Sequence, residues 1–162
     1  MEDLYFMQQA LTLAREAAAD GEVPVGCVLV RNGEIVGRGR NRRETAKTAL
    51  GHAEIEAIAD ACNRLNGWRL WECTMYVTLE PCPMCAGAII NARIPRVVVG
   101  ARDDKCGACG SVCDLFSMHF NHRPAVEFGL LEADSQMLMT QFFQVLRKKQ
   151  KDKPKWKKPG TA

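Results

Sequence analysis

A chain of 162 residues, 47% of them hydrophobic, is long enough to enclose one sizeable core and too short for two independent ones. No apolar run approaches the roughly 20 residues of a membrane-spanning helix, and the opening Met1-Glu2-Asp3-Leu4-Tyr5-Phe6 is acidic where a secretory leader carries positive charge. These features predict a soluble, cytoplasmic protein with no membrane partner. The net charge of +3 is small but unevenly placed, because Arg147 to Lys158 carries eight Lys and Arg residues in all against one Asp. That run reads as a disordered tail over 150–162, solvated or laid against phosphates, behind a single domain over 1–149.

Leu4, Met7, Leu11 and Ala14 recur at helical spacing from Glu2 to Ala19, and Asp20-Gly21 ends the run. Val25 to Val30 reads as an apolar strand, Asn32-Gly33 as a type I′ turn, and Glu34 to Arg40 as the antiparallel return. A second helix, rich in small and aliphatic residues, opens at His52 and stops at Asn66-Gly67. Thr74 to Leu79 and Arg96 to Gly100 read as strands flanking a helix from Cys85 to Ala92, a rhythm that predicts a parallel pair with a crossover. Val126 to Leu131 adds a strand, and Glu132 to Lys149 a last helix with Met137, Leu138, Phe142, Val145 and Leu146 as its apolar face.

Two motifs carry the chemistry. His52-Ala-Glu54 stands at one predicted helix start and Pro81-Cys-Pro-Met-Cys85 at another. His52, Cys82 and Cys85 form a zinc ligand set that leaves a fourth position for water, and Glu54 is a carboxylate free to act as general base and acid. Spacing i, i+3 puts both sulfurs on one side of a first helical turn, where the helix dipole favours thiolates and Pro83 sacrifices no hydrogen bond. One zinc ion per subunit is expected, with the remaining cysteines reduced. A closed structural site would need a fourth ligand from Cys62, Cys73, Cys106, Cys109 or His119. Cys106-Gly-Ala-Cys109 and Cys113 have ligand-like spacing of their own, but they lack a companion His and read as packing residues. The pattern H-x-E…P-C-x-x-C is the signature of zinc nucleobase deaminases.

Further stretches resemble the bacterial tRNA adenosine deaminases, which convert a wobble adenosine to inosine: Glu22-Val-Pro-Val-Gly26, Gly39-Arg-Asn41, Tyr76 to Gly87, Gly100-Ala-Arg-Asp103, Gly110-Ser111 and Asn121-His-Arg123. The resemblance implies an α/β, three-layer α/β/α cytidine deaminase-like fold, its five-stranded mixed sheet carrying helices on both faces, usually as a homodimer. It implies that Asn41 hydrogen-bonds the flipped base, that the Ala53 backbone helps to hold it, and that Val25 lines the pocket. By the same resemblance Asp103, Lys105, Asn121, His122 and Arg123 lie along the surface that meets the anticodon stem-loop. The chain departs from the family at Thr48-Ala-Leu-Gly51, where Asp-Pro-Thr-Ala is frequent, and at Cys106 and Cys109, where Thr and Ala are common. The implied function is hydrolytic deamination of a tRNA wobble adenosine. The alternatives are a deaminase of a free guanine- or cytosine-type base or nucleoside, and a non-catalytic zinc-stabilised RNA-binding module, against which Glu54 argues.

Overall fold

The structure, a computed structural model, describes residues 2–151. Helix α1 (Glu2–Ala19) leads into the hairpin β1 (Gly26–Arg31) and β2 (Glu34–Arg40), followed by α2 (Ala53–Leu65), β3 (Cys73–Leu79), α3 (Pro83–Asn91) and β4 (Arg96–Ala101). A single 3₁₀ turn at Leu115–Ser117 precedes β5 (Ala125–Phe128) and α4 (Glu132–Lys151). The strands form one mixed sheet in the order β2-β1-β3-β4-β5. β1 is antiparallel to both β2 and β3, while β3, β4 and β5 run parallel.

The hairpin turn bears out the Asn-Gly signal: Asn32 and Gly33 both adopt left-handed backbone, at φ 51° and 76°. A bulge between Leu29 and Val30 then shifts the β1–β2 register. Alternation along the strands divides the core. Cys27, Leu29, Met75, Val77, Val97 and Val99 point toward α2 and α3, and Val28, Val30, Tyr76 and Val98 toward α1. At α1's start, the Asp3 carboxylate ties the helix to the sheet through Arg96 and the Tyr76 hydroxyl.

The sequence reading departs from the structure in its details. β5 is shorter than expected, ending at Phe128. Leu4 is 42% exposed, and on α4 Met137 and Val145 are 58% and 53% exposed, so they do not belong to buried faces. α4 turns inward with Ser135, which is buried, and Leu138, Phe142 and Leu146, which are half-buried. The helix runs on through Gln150 and Lys151, into the segment expected as tail, and the rest of that basic run lies outside the described residues.

The helix that carries the first motif, α2, is seated very closely on β2. Ala53, Ala57 and Ala61 form a stripe of completely buried alanines, and the strand opposes them with Gly37 and Gly39. A Cβ on Gly39 would lie 2.1 Å from the Ala53 carbonyl oxygen and 2.6 Å from the Ala57 nitrogen. Glycine is therefore required by proximity, and that proximity fixes the height of α2's first turn above the sheet. Gly39→Ala should destabilise the fold by about 1–3 kcal/mol and displace His52. Gly67→Ala, whose Cβ meets nothing within 4 Å, should shift stability by no more than about 0.5 kcal/mol, with denaturant unfolding as the measurement.

Candidate metal and active centre

The centre lies at the end of the sheet reached by the carboxyl ends of β3 and β4. His52 is the N-cap of α2 in extended backbone, Cys82 is the N-cap of α3 with Pro83 behind it, and Cys85 follows in α3's first turn. Two helix starts thus aim at one point, and neither N-cap side chain bonds its own helix, which leaves both for the metal. The His52 Nδ1 atom is 3.5 Å from the Cys82 Sγ and 3.5 Å from the Cys85 Sγ. A tetrahedral ion with zinc's usual bond lengths would put nitrogen and sulfur ligands about 3.6 Å apart, so the three side chains fit zinc. Their ligand atoms all lie within 4.8 Å of one another, and among the described residues no other His, Cys, Asp or Glu joins them.

The electrostatics suit a cation. A hydrogen bond from Cys85 chiefly, with a second from His52, holds the Cys82 thiol down to about 4. Cys85 is pushed far up, first by its hydrogen bond to Cys82 and then by burial. Glu54 is 4% exposed, and burial raises its carboxyl above the usual range. Such a group exchanges protons more readily near neutrality than an exposed glutamate.

From this centre a cavity of about 740 Å³ opens outward, lined among others by Val25, Asn41, Ala53, Asp103 and Lys105. Asn41 is 8% exposed; its Oδ1 accepts the Arg43 N–H at 3.1 Å, which leaves its amide N–H₂ for another partner. Capping a turn and facing the cavity are thus compatible roles. Ala53 is the first residue of α2, where a backbone N–H has no acceptor within the helix. Asp103 uses Oδ1 to accept the N–H groups of Lys105 and Cys106, which shapes the rim loop.

Asn121, His122 and Arg123 are placed elsewhere. They precede β5, whose Ala125 pairs with Arg96 at the start of β4, so within one chain they occupy the sheet end away from the centre. His122 Nε2 bonds the Ile94 carbonyl oxygen at 2.7 Å, and Arg123 meets His119. The expectation that they share a surface with Asp103 is therefore not met within a single chain, because parallel pairing carries the two loops to opposite ends. Cys106 and Cys113 are exposed and Cys109 is buried.

Several cavity residues had no sequence signal. Arg43 belongs to an irregular loop, and Gln136, Met139, Thr140 and Phe143 come from α4, whose apolar pattern could not reveal that one side closes over the site. Arg102 also lines the cavity, but its guanidinium stacks 3.9 Å from the Phe128 ring centre. For the metal set, His52→Ala and Cys82→Ala should lose zinc, whereas Cys109→Ala should retain one ion per chain by elemental analysis.

Comparison with known proteins agrees with this geometry. A family model described as the cytidine and deoxycytidylate deaminase zinc-binding region matches residues 1–101. A tRNA-specific adenosine deaminase of Bacillus subtilis (strain 168) is 46% identical over 151 residues, covering 93% of this chain and 94% of the relative. One from Streptococcus pyogenes serotype M18 is 45% identical over 152 residues, covering 93% and 96%. A structure from studies of A-to-I editing by tRNA:A34 deaminases at the wobble position of transfer RNA superposes with TM-score 0.81 and 44% identity, over 83% of this chain and 98% of that one. A guanine deaminase from Bacillus subtilis shares 32% identity with TM-score 0.61, over 95% and 96% of the two chains. With its zinc-ligand triad, buried glutamate and five-stranded mixed sheet, the chain belongs to the cytidine and deoxycytidylate deaminase family, in the branch of the tRNA-specific adenosine deaminases.

Proposed function

We propose that this protein hydrolyses the wobble adenosine of a tRNA anticodon to inosine, acting in the cytoplasm as a homodimer. The observation that carries this reading is the cavity, which joins the metal triad and Glu54 to a polar and cationic rim of Arg43, Asp103 and Lys105. At about 740 Å³ it stands toward the upper end of the roughly 300–1,000 Å³ usual for ligand sites. A single free base leaves much of it unfilled, while a loop nucleotide with its neighbours does not. The higher identity to tRNA-acting relatives than to the guanine deaminase supports the same choice.

His52, Cys82 and Cys85 would hold the zinc ion, which supplies Lewis acidity that makes water a nucleophile near neutral pH. The chain's own groups do the rest. The Asn41 amide N–H₂ meets an acceptor on the base edge, Val25 packs on the ring and the Ala53 N–H adds a donor. Glu54 takes one proton from the attacking water as its oxygen bonds to C6 and passes it to the ring nitrogen, then takes the remaining proton from the new C6 hydroxyl and delivers it to the amine. The tetrahedral carbon collapses with C–N cleavage, so adenosine and water give inosine and ammonia. An anticodon loop is already single-stranded, so delivering the base costs little unstacking. The cationic end of α4, with Lys148, Lys149 and Lys151, can meet phosphates.

The 3₁₀ turn that packs on α3 is flanked by the exposed apolar residues Val112 (60%), Met118 (49%) and Phe120 (48%). The outward face of the helix includes Gly87, with open space beyond it. A second copy seated there would cover this apolar surface and lie beside the loop of Asn121, His122 and Arg123, giving these residues a route to the RNA that a single chain lacks. Phe120→Asp should halve the mass seen by sedimentation.

Purified zinc protein should release ammonia from an anticodon stem-loop carrying the adenosine and leave free adenosine, cytidine and guanine largely unchanged. Conversion of a free base in preference to the RNA would overturn the reading. Glu54→Gln should keep its zinc and lose activity by at least about 10²–10⁴-fold.

A further inference from the structure

The geometry points to Glu80 as the residue that positions the RNA-facing rim, a role separate from metal binding and proton transfer. It follows β3, two residues before Cys82, and is 2% exposed. Its carboxylate is spent on one loop. Oε1 accepts the Asp103 N–H at 3.2 Å and the Ser111 hydroxyl, while Oε2 accepts the Cys109 N–H at 3.0 Å and the Ser111 N–H at 3.1 Å. No cation pairs with Glu80 among the described salt bridges. A buried carboxylate without a cation persists only where N–H and O–H donors replace its hydration, and bonds to a charged acceptor are the stronger kind.

The loop depends on those bonds. Residues 102–111 contain neither helix nor strand; Asp103 accepts the N–H groups of Lys105, Cys106 and Gly107 within the loop, and those of Asp103, Cys109 and Ser111 are left to Glu80. Gly107 lets the loop close over the carboxylate, since a Cβ there would lie 2.3 Å from Oε2 and 2.5 Å from the Asp103 carbonyl oxygen. The Ala108 N–H bonds the Pro81 carbonyl oxygen at 2.9 Å, which fastens the same loop to the approach to Cys82. Its other side presents Asp103, Lys105 and Cys106 to the cavity. Glu80 therefore acts on the nucleotides flanking the target base, through the shape of this loop. This role rests on the tRNA reading for its substrate, but not for the clamp itself.

Glu80→Gln isolates it. An amide offers one acceptor oxygen; with its NH₂ turned toward Ser111 Oγ the Cys109 and Ser111 N–H bonds survive, and the Asp103 N–H loses its partner. The variant should keep one zinc per chain, raise KM for the anticodon stem-loop about 10-fold and change kcat by less than about threefold. Hydrogen exchange of residues 102–111 should accelerate in the free protein. Gly107→Ala, which perturbs the clamp from the loop side, should reproduce this split. Unaltered exchange, faster exchange with unaltered KM, a kcat loss at constant KM, or loss of zinc would each overturn the positioning role. Failure of the unsubstituted protein to convert the stem-loop would overturn the tRNA reading instead, and the exchange measurement would still decide whether Glu80 holds the loop.

Discussion

The near contact of α2 with β2 governs the rest of the molecule. Glycines at 37 and 39 and alanines at 53, 57 and 61 let the helix backbone approach the strand with almost no side chain between them. Close packing of this kind has no slack, because an added methylene must displace backbone. The first turn of α2 is therefore held rigidly, and with it His52, Ala53 and Glu54. The crossover from β3 through α3 to β4 brings Cys82 and Cys85 to the same sheet end, where parallel strands deliver their carboxyl-terminal loops. The metal triad is thus a consequence of two helices starting at one place.

Around this rigid centre the chain uses three buried carboxylates in two ways. Glu54 faces the cavity, and its burial raises its proton affinity. Glu22 and Glu80 organise loops, Glu80 from within the cavity wall itself. Glu22 accepts the Glu44 and Thr45 N–H groups and the Thr45 hydroxyl, which pins the loop running from Asn41 toward His52. Burial works to raise its pKa, yet these donors hold the carboxyl below its usual value. Glu80 does the corresponding work on the opposite rim. The two walls that receive substrate are irregular in backbone but anchored from beneath, so loops without regular structure can still present Asn41 and Asp103 at fixed positions.

Much of this was legible in the residues. Ligand chemistry and helix-start spacing disclosed His52, Cys82, Cys85 and Glu54, because a metal site needs particular donor atoms and a capping geometry that leaves a trace in sequence. Asn32-Gly33 and the Val-rich strands disclosed the sheet for similar local reasons. Val25, Asn41, Ala53, Asp103 and Lys105 were reached only through resemblance to relatives, since none has a type or spacing that specifies a cavity wall. The failures share one cause. Met137 and Val145 fit an apolar helical face in sequence, yet α4 packs along its length by a different row, and only the folded arrangement decides which row meets the sheet. Asn121, His122 and Arg123 fall at the wrong sheet end within one chain because strand direction, which pairing sets, determines where a loop emerges. Glu80 was passed over because three of its four donors are backbone N–H groups that any sequence could supply.

The central claim is that two helix starts build a three-ligand zinc site with its fourth position left to solvent. Zinc-edge X-ray absorption of the purified protein tests it most directly. The account predicts a shell of two sulfurs near 2.3 Å and two lighter donors near 2.0–2.1 Å, one from His52 and one from water. A shell of three or four sulfurs, with Cys109 or another cysteine drawn in, would contradict it.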